Sequence, residues 1–107
     1  MIAIRSAHPG SSPAQNDLVE IGKSLKVARL RRRMSAADAA GRSGVSLPTY
    51  RKIETGDPSV SLGVFVSALR ELGLLGNLRS ALEPESDRGA AAFEIDRLPQ
   101  RVSRRRP

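Results

Sequence analysis

Ser35–Gly56, SAADAAGRSGVSLPTYRKIETG, has the helix signals of two short helices joined by a tight turn. Ser35 and Ser46 each stand where a side-chain oxygen would accept from the unpaired N–H groups of a first helical turn. Gly44 and Gly56 stand where each helix should end, because glycine adopts the left-handed conformation without a Cβ clash. The stretch therefore predicts a helix, a turn and a second helix.

If this pair is a helix-turn-helix, its second helix has one face that packs on a core and another that enters the major groove of DNA. Val45, Tyr50 and Ile53 are spaced to face inward. The side chains expected to face base edges in the major groove are Ser46, Leu47, Pro48, Thr49 and Lys52. Lys52 is suited to donate to guanine acceptors, whereas leucine and proline make few directional hydrogen bonds. We therefore expect modest direct readout, supplemented by readout of DNA shape.

Contacts to the sugar-phosphate backbone set the register of such a reader on DNA. The residues expected to make them are Arg31, Arg32, Arg33, Ser35, Arg51 and Thr55. Helix pairs joined by a glycine turn also occur in purely structural bundles, and these residues alone leave that reading open. Since one such unit reads only a few base pairs, a DNA-binding chain is expected to act as a dimer on an inverted repeat.

A further helix is predicted before this pair. It begins at Asp17, whose negative charge suits a helix N-terminus. Ile21, Leu25 and Ala28 recur at steps of four and three, and this spacing predicts the buried stripe.

Two helices are predicted after the pair. Ser61 is positioned to cap the first of them. Its apolar face, wide enough to close a core, consists of Leu62, Phe65, Val66, Leu69 and Leu72. Gly73 ends it, and Leu74, Leu75, Leu78 and Leu82 then indicate a fifth short helix. Those leucines either complete the core or contact a second copy of the chain.

The predicted fold class is all-α, a compact five-helix domain with two tails. The segments are a flexible leader over residues 1–16, the DNA-binding domain over residues 17–83, and a linker with a docking segment and basic tail over residues 84–107. In the last segment Phe93, Ile95 and Leu98 are apolar among charges. With the leucines of the fifth helix they form the predicted dimer or partner surface.

Composition argues against several classes of protein. The 107 residues are 39% hydrophobic and 3% aromatic, which predicts one small aliphatic core. The absence of cysteine rules out disulfides and thiolate metal sites. No apolar run is long enough to cross a bilayer, so a cytoplasmic protein is expected, nucleoid-associated when bound to DNA. No glycine-rich phosphate loop, zinc spacing or activated nucleophile is visible, so we expect no enzyme, cofactor, metal or small-molecule substrate.

The basic residues lie at two places in the chain. The formal net charge of +7 favours a polyanionic partner, because neutralised phosphates release counterions. Six of the 18 basic residues lie between Lys23 and Arg33, and five lie between Arg97 and Arg106. Whether the C-terminal arginines contact DNA or protein stays open, and a solvated helix face with a solubilising tail is the simpler explanation.

Met34–Gly56 resembles the DNA-binding core of the lambda-repressor-like, or Xre-type, regulators. The matching motifs are Gly44-Val45-Ser46 and Ile53-Glu54-Thr55-Gly56, and the resemblance extends over roughly residues 21–82. It implies a five-helix DNA-binding domain. It also implies that Arg29 meets Glu54 in a partly buried ion pair, which makes both residues structural. Ala36 replaces the usual Gln, which removes one expected phosphate contact, and Ala39 replaces the usual Leu.

A narrower resemblance concerns the end of the domain. GDPSVSLGVFVSALRELGLL, residues 56–75, is followed by an acidic linker and by RLPQRV, residues 97–102. This arrangement is similar to that of the HipB-like antitoxins, which are encoded beside HipA-like serine/threonine kinase toxins. The resemblance implies a repressor that binds its operator as a homodimer and also binds a kinase toxin.

Two other functions stay open from the sequence. One is a protein-interaction adaptor whose arginine-rich tail binds an acidic partner, with no contribution from Lys52 or Thr49. The other is a non-specific nucleic-acid binder, for which affinity would fall steeply with salt without any preference for sequence.

Overall fold

The computed structural model describes residues 12–86, which form five α-helices and no strand. The helices are α1 (Pro13–Arg31), α2 (Ala36–Ser43), α3 (Leu47–Thr55), α4 (Leu62–Glu71) and α5 (Leu75–Leu82), and Pro84–Ser86 adds a 3-10 turn. The prediction of an all-α fold is confirmed. The chain divides after Leu75 into two units, the first containing α1 to α4.

Helix α1 begins at Pro13, before the predicted start at Asp17. The Ser12 hydroxyl oxygen accepts from the Gln15 backbone N–H at 3.1 Å, and the Gln15 side chain accepts from the Ser12 backbone N–H at 3.0 Å. This capping box satisfies two N–H groups, and Pro13 suits the first helical position because its missing N–H needs no partner. The predicted leader is therefore helical from Pro13 onward, and residues 1–11 lie outside the described part of the chain.

The buried face of α1 differs from the predicted stripe. Leu25 is buried, but Ile21 is 43% exposed, and the other buried positions are Gly22 and Arg29. The prediction was wrong at Ile21 because α1 turns its Gly22 face toward α3, the helix against which it packs.

A left-handed residue, Arg33, follows the end of α1. Arg33 has φ 54°, the backbone N–H of Arg33 donates to the Leu30 carbonyl, and that of Met34 donates to the Arg29 carbonyl. These two bonds form a Schellman motif, which satisfies carbonyls left unpaired at the helix end. The chain is thereby turned toward Ser35 and α2.

Both helices of the predicted pair begin and end as expected. The hydroxyl oxygens of Ser35 and Ser46 accept from backbone N–H groups three residues later, at 3.0 and 3.3 Å. Gly44 and Gly56 follow α2 and α3 with φ of 72° and 76°. Local capping therefore accounts for the boundaries of both helices.

Helices α2, α3 and α4 complete the core of the first unit, with α2 packed against both of the others. The buried apolar residues are Leu25, Ala39, Ala40, Tyr50, Ile53, Ala68, Leu69 and Leu72. Leu62, predicted to be in this core, is 75% exposed. It is the first residue of α4, before the helix reaches its neighbours, so the predicted face was one residue too long.

Helix α5 is short and amphipathic. Leu75, Leu78 and Leu82 lie at steps of three and four on one side of it, and none of its residues is buried. Among residues 12–86, no helix combines the length and the apolar character needed to span a bilayer.

Candidate nucleic-acid interface

The exposed side of α3 carries the residues predicted to face bases. Pro48, Lys52 and the capping residue Ser46 are exposed, and Leu47 and Thr49 are partly exposed. Tyr50 and Ile53 are buried on the opposite side, as their spacing predicts. Four of the five predicted base-facing residues lie at the N-terminal end of α3 and Lys52 lies in its last turn, so their contact with bases stays a prediction.

The two hydroxyl groups on this surface are bonded to each other. Ser46 Oγ accepts from the Thr49 backbone N–H and donates to Thr49 Oγ1 at 3.0 Å. The hydroxyl hydrogen of Ser46 is therefore used within the cap, whereas Thr49 keeps its own hydrogen for an acceptor on DNA. Ser46 orients Thr49, and Thr49 and Lys52 supply the available donors.

Ser35 and Thr55, both predicted to contact phosphate, differ in whether the hydroxyl hydrogen is free to donate. The Ser35 hydroxyl accepts from the Asp38 N–H, so its hydrogen is available to a phosphate oxygen. The Thr55 hydroxyl donates to the Lys52 carbonyl at 3.0 Å. A phosphate oxygen needs a donor, so Thr55 would have to break this bond to contact one. Arg51 is exposed on α3.

The side chains of Arg31, Arg32 and Arg33 do not share one face. Arg31 lies about 200° around α1 from Arg29, the residue that faces α3. Arg31 and Arg32 line a groove along the outer face of α1, and Arg32 Nη1 also donates to the Ala28 carbonyl at 2.7 Å. Arg33, in the left-handed turn, does not line it. Their predicted contacts with phosphate stay a prediction.

Arg29 joins three parts of the domain. Its Nε and Nη2 atoms donate to the two carboxylate oxygens of Glu54 at 2.6 and 3.0 Å, and its Nη1 donates to the Met34 carbonyl at 2.8 Å. Arg29 is only 7% exposed. The hydrogen bond with Glu54 raises the pKa of the Arg29 guanidinium above its ordinary value. A permanently charged group thus connects the last turn of α3 to the segment that enters α2.

Two glycines bring α1 against the end of α3: Gly22, which the sequence analysis missed, and Gly56, which it identified only as a helix end. A Cβ built on Gly22 would lie 2.8 Å from the carbonyl carbon of Glu54 and 2.9 Å from the oxygen of Ile53. A Cβ on Gly56 would lie 2.5 Å from the Cα of Val19. Glycine is unfavourable inside a helix, and this was the one sequence signal that could have marked Gly22 as a close-packing position.

Tyr50 places a buried hydroxyl in the core beside this ion pair. Tyr50 is 1% exposed, and its hydroxyl has no hydrogen-bond partner among the described residues. Burial, and then the negative charge of Glu54, raises the pKa of Tyr50 to about 12.

We expect this shift to appear as a loss of stability in alkali. The unfolded tyrosine releases its proton near pH ~10, so between about pH 10 and 12 the folded chain binds the proton more tightly, and stability falls as pH rises. Because the chain contains one tyrosine and no tryptophan, phenolate absorbance reports this residue alone. Titration of the folded protein near pH ~10 would contradict the expectation, and Tyr50→Phe should remove the tyrosine contribution to the pH dependence.

The predicted dimer or partner residues fall into two groups. Leu75, Leu78 and Leu82 lie on α5, as described above. Phe93, Ile95 and Leu98, together with the basic tail, lie outside the described residues.

The comparison with protein families agrees with this geometry. The family model described as a helix-turn-helix domain matches residues 20–82, a range that contains most of α1 and all of α2 to α5. No curated protein and no solved structure matches the chain.

Proposed function

The chain belongs to the helix-turn-helix domain family, and from this premise we propose that it is a sequence-specific transcriptional repressor. The chain carries a DNA-binding domain, and DNA is its partner. We propose further that it binds an inverted-repeat operator as a homodimer, in the cytoplasm, without enzymatic activity. The two-fold symmetry of such a dimer would match the two half-sites of the operator.

The arrangement around α3 is the observation that carries this proposal. The exposed donors of Thr49 and Lys52 lie on a helix whose first turn is capped by Ser46 and whose last turn is held through Arg29. Readout of base edges requires side chains that are positioned before they meet the groove.

We also propose that the repressor is the HipB-like antitoxin of a toxin-antitoxin operon, with a HipA-like kinase as its second partner. The support is the resemblance of residues 56–75 and 97–102, the second of which lies outside the described residues. Co-expression with the kinase encoded beside this gene would test it. A complex that survives gel filtration at physiological salt is the expected result, and the absence of a neighbouring kinase gene would remove the proposal.

Specific binding is expected on DNA from directly upstream of the gene. At physiological salt, affinity should exceed that for a shuffled duplex by about a thousandfold or more. Lys52→Ala should cost about tenfold or more on the upstream duplex, because a good contact to a base is worth about 1–3 kcal/mol. Fluorescence anisotropy with both duplexes measures the two affinities.

Lys26→Ala is the matched control for this experiment. Lys26 is an exposed lysine on α1, so its removal changes the net charge equally without touching α3. It should weaken binding to both duplexes by the same small factor. Equal affinity of the wild-type chain for both duplexes would refute specific recognition and favour a non-specific nucleic-acid binder. No binding to either duplex would favour the protein-interaction adaptor.

A further inference from the structure

A groove runs along α1 beside Leu74, the residue that precedes α5. It consists of two neighbouring cavities of about 250 and 450 Å³, which share Glu20, Ser24 and Leu74. Ile21 and Leu25 line the first cavity, and Val27, Arg31 and Arg32 line the second. We call this surface the α1 groove.

The two ends of the α1 groove differ in chemistry. The end at Ile21 and Leu25 is apolar, and Ile21 is 43% exposed there. The opposite end carries the guanidinium groups of Arg31 and Arg32. Lys23 also lines this cavity, but its charge is paired with that of Glu20 at 3.1 Å. The positive charge at this end therefore comes mainly from the two arginines. A segment that complements this groove has apolar side chains at one end and acidic side chains at the other.

The chain itself contains a segment of this kind. Helix α5 carries the stripe Leu75, Leu78 and Leu82, of which Leu82 is 76% exposed and the other two are half-buried. Glu83 and Glu85 follow the stripe directly, and both are exposed. The segment is therefore apolar and then acidic, which complements the α1 groove in both properties.

The spacing of the two surfaces also agrees. At 1.5 Å per residue, Arg31 lies roughly 9 to 15 Å along α1 from Leu25 and Ile21. Over the helical segment, Glu83 lies roughly 8 to 12 Å beyond Leu78 and Leu75. Apolar and charged parts can therefore be in contact at the same time.

We propose that α5 and the acidic residues after it bind in the α1 groove of a second copy of this chain. By two-fold symmetry each copy contributes one groove and one acidic segment, so the contact occurs twice. The proposal rests on the homodimer proposed above and names its contact surface. It assigns Arg31 and Arg32 to the dimer rather than to phosphate.

Charge reversal tests this contact on the full chain without DNA. Sedimentation equilibrium would compare the wild type, Arg31→Glu with Arg32→Glu, Glu83→Lys with Glu85→Lys, and the combination of all four changes. Each pair alone should weaken dimerisation by about tenfold or more, because every reversed contact occurs twice. The combination should restore the wild-type affinity to within about threefold, because it exchanges the signs across the contact.

Arg33→Glu is the control, since Arg33 is adjacent in sequence but does not line the α1 groove. It should leave dimerisation unchanged. The glutamate pair keeps the test valid if the arginine pair disturbs the end of α1, and circular dichroism checks that each variant folds. The proposal is overturned if the glutamate pair has no effect or if the combination stays as weak as either pair.

A wild-type chain that is monomeric at all concentrations overturns this contact and the homodimer together. A second outcome is that the four-fold variant regains the thermal stability lost in either pair while every variant stays monomeric. That result would place α5 in the groove of its own chain, which also overturns the proposal. Specific DNA binding is measured separately by anisotropy, so its failure is distinguishable from failure of the contact.

Discussion

Glu54→Gln is expected to lower the free energy of unfolding by about 3–5 kcal/mol, because it leaves the buried charge of Arg29 without its counter-ion. The substitution preserves the size of the side chain, so packing is not the cause of the loss. Arg29 would retain its bond to the Met34 carbonyl, but a neutral amide cannot compensate for the desolvation of a guanidinium. Urea denaturation followed by circular dichroism measures the effect.

Glu20→Gln provides the same chemical change in an exposed ion pair. Glu20 pairs with Lys23 at 3.1 Å, and both side chains are largely in solvent. Exposed pairs of this kind contribute about 0–1 kcal/mol, so this control should be nearly silent. If Glu54→Gln cost no more than Glu20→Gln, the role of Arg29 in joining α3 to the entrance of α2 would be wrong.

Gly22→Ala is the second substitution with a large expected effect. It should destabilise the protein by about 3 kcal/mol, the upper end of the usual range for overpacking, because the added methyl group meets backbone rather than a flexible side chain. The contacts are with the last turn of α3, at the carbonyl groups of Ile53 and Glu54. Helix α1 would have to move away, and thermal unfolding should show the loss.

The direction of the change in stability distinguishes a close-packed glycine from an unobstructed one. In an unobstructed helix, glycine to alanine should increase stability by about 0.5–1 kcal/mol. Gly41 on α2 is such a position, since a Cβ there would meet nothing within 4 Å. Gly41→Ala should therefore stabilise the protein while Gly22→Ala destabilises it. Stabilisation by both substitutions would show that α1 does not depend on close approach to α3.

Both predictions concern the same end of the recognition surface. The contacts of Gly22 and Arg29 hold the C-terminal turn of α3, whereas Ser46 caps its N-terminal turn. A partly folded Glu54→Gln variant should therefore lose DNA specificity together with stability. The last turn of α3 is held against α1 and its first turn is capped, which supports its proposed use as a reader of base edges.

Much of the interface could be predicted from the sequence because helix boundaries depend on groups a few residues apart. Ser35, Gly44, Ser46 and Gly56 each satisfy or end a helix within their own turn, and the structure agrees at all four. The start of α1 at Pro13 could have been predicted in the same way, because Ser12 and Gln15 have the spacing of a capping box.

The sequence by itself determined the five helices, the turn between α2 and α3, and the exposed face of α3. Only the tertiary structure decided that Ile21 and Leu62 are exposed and that Gly22 is in contact with α3. The physical reason is the separation along the chain of the residues that interact. Capping is settled within about four residues, whereas the buried side of a helix depends on how closely a distant helix can approach.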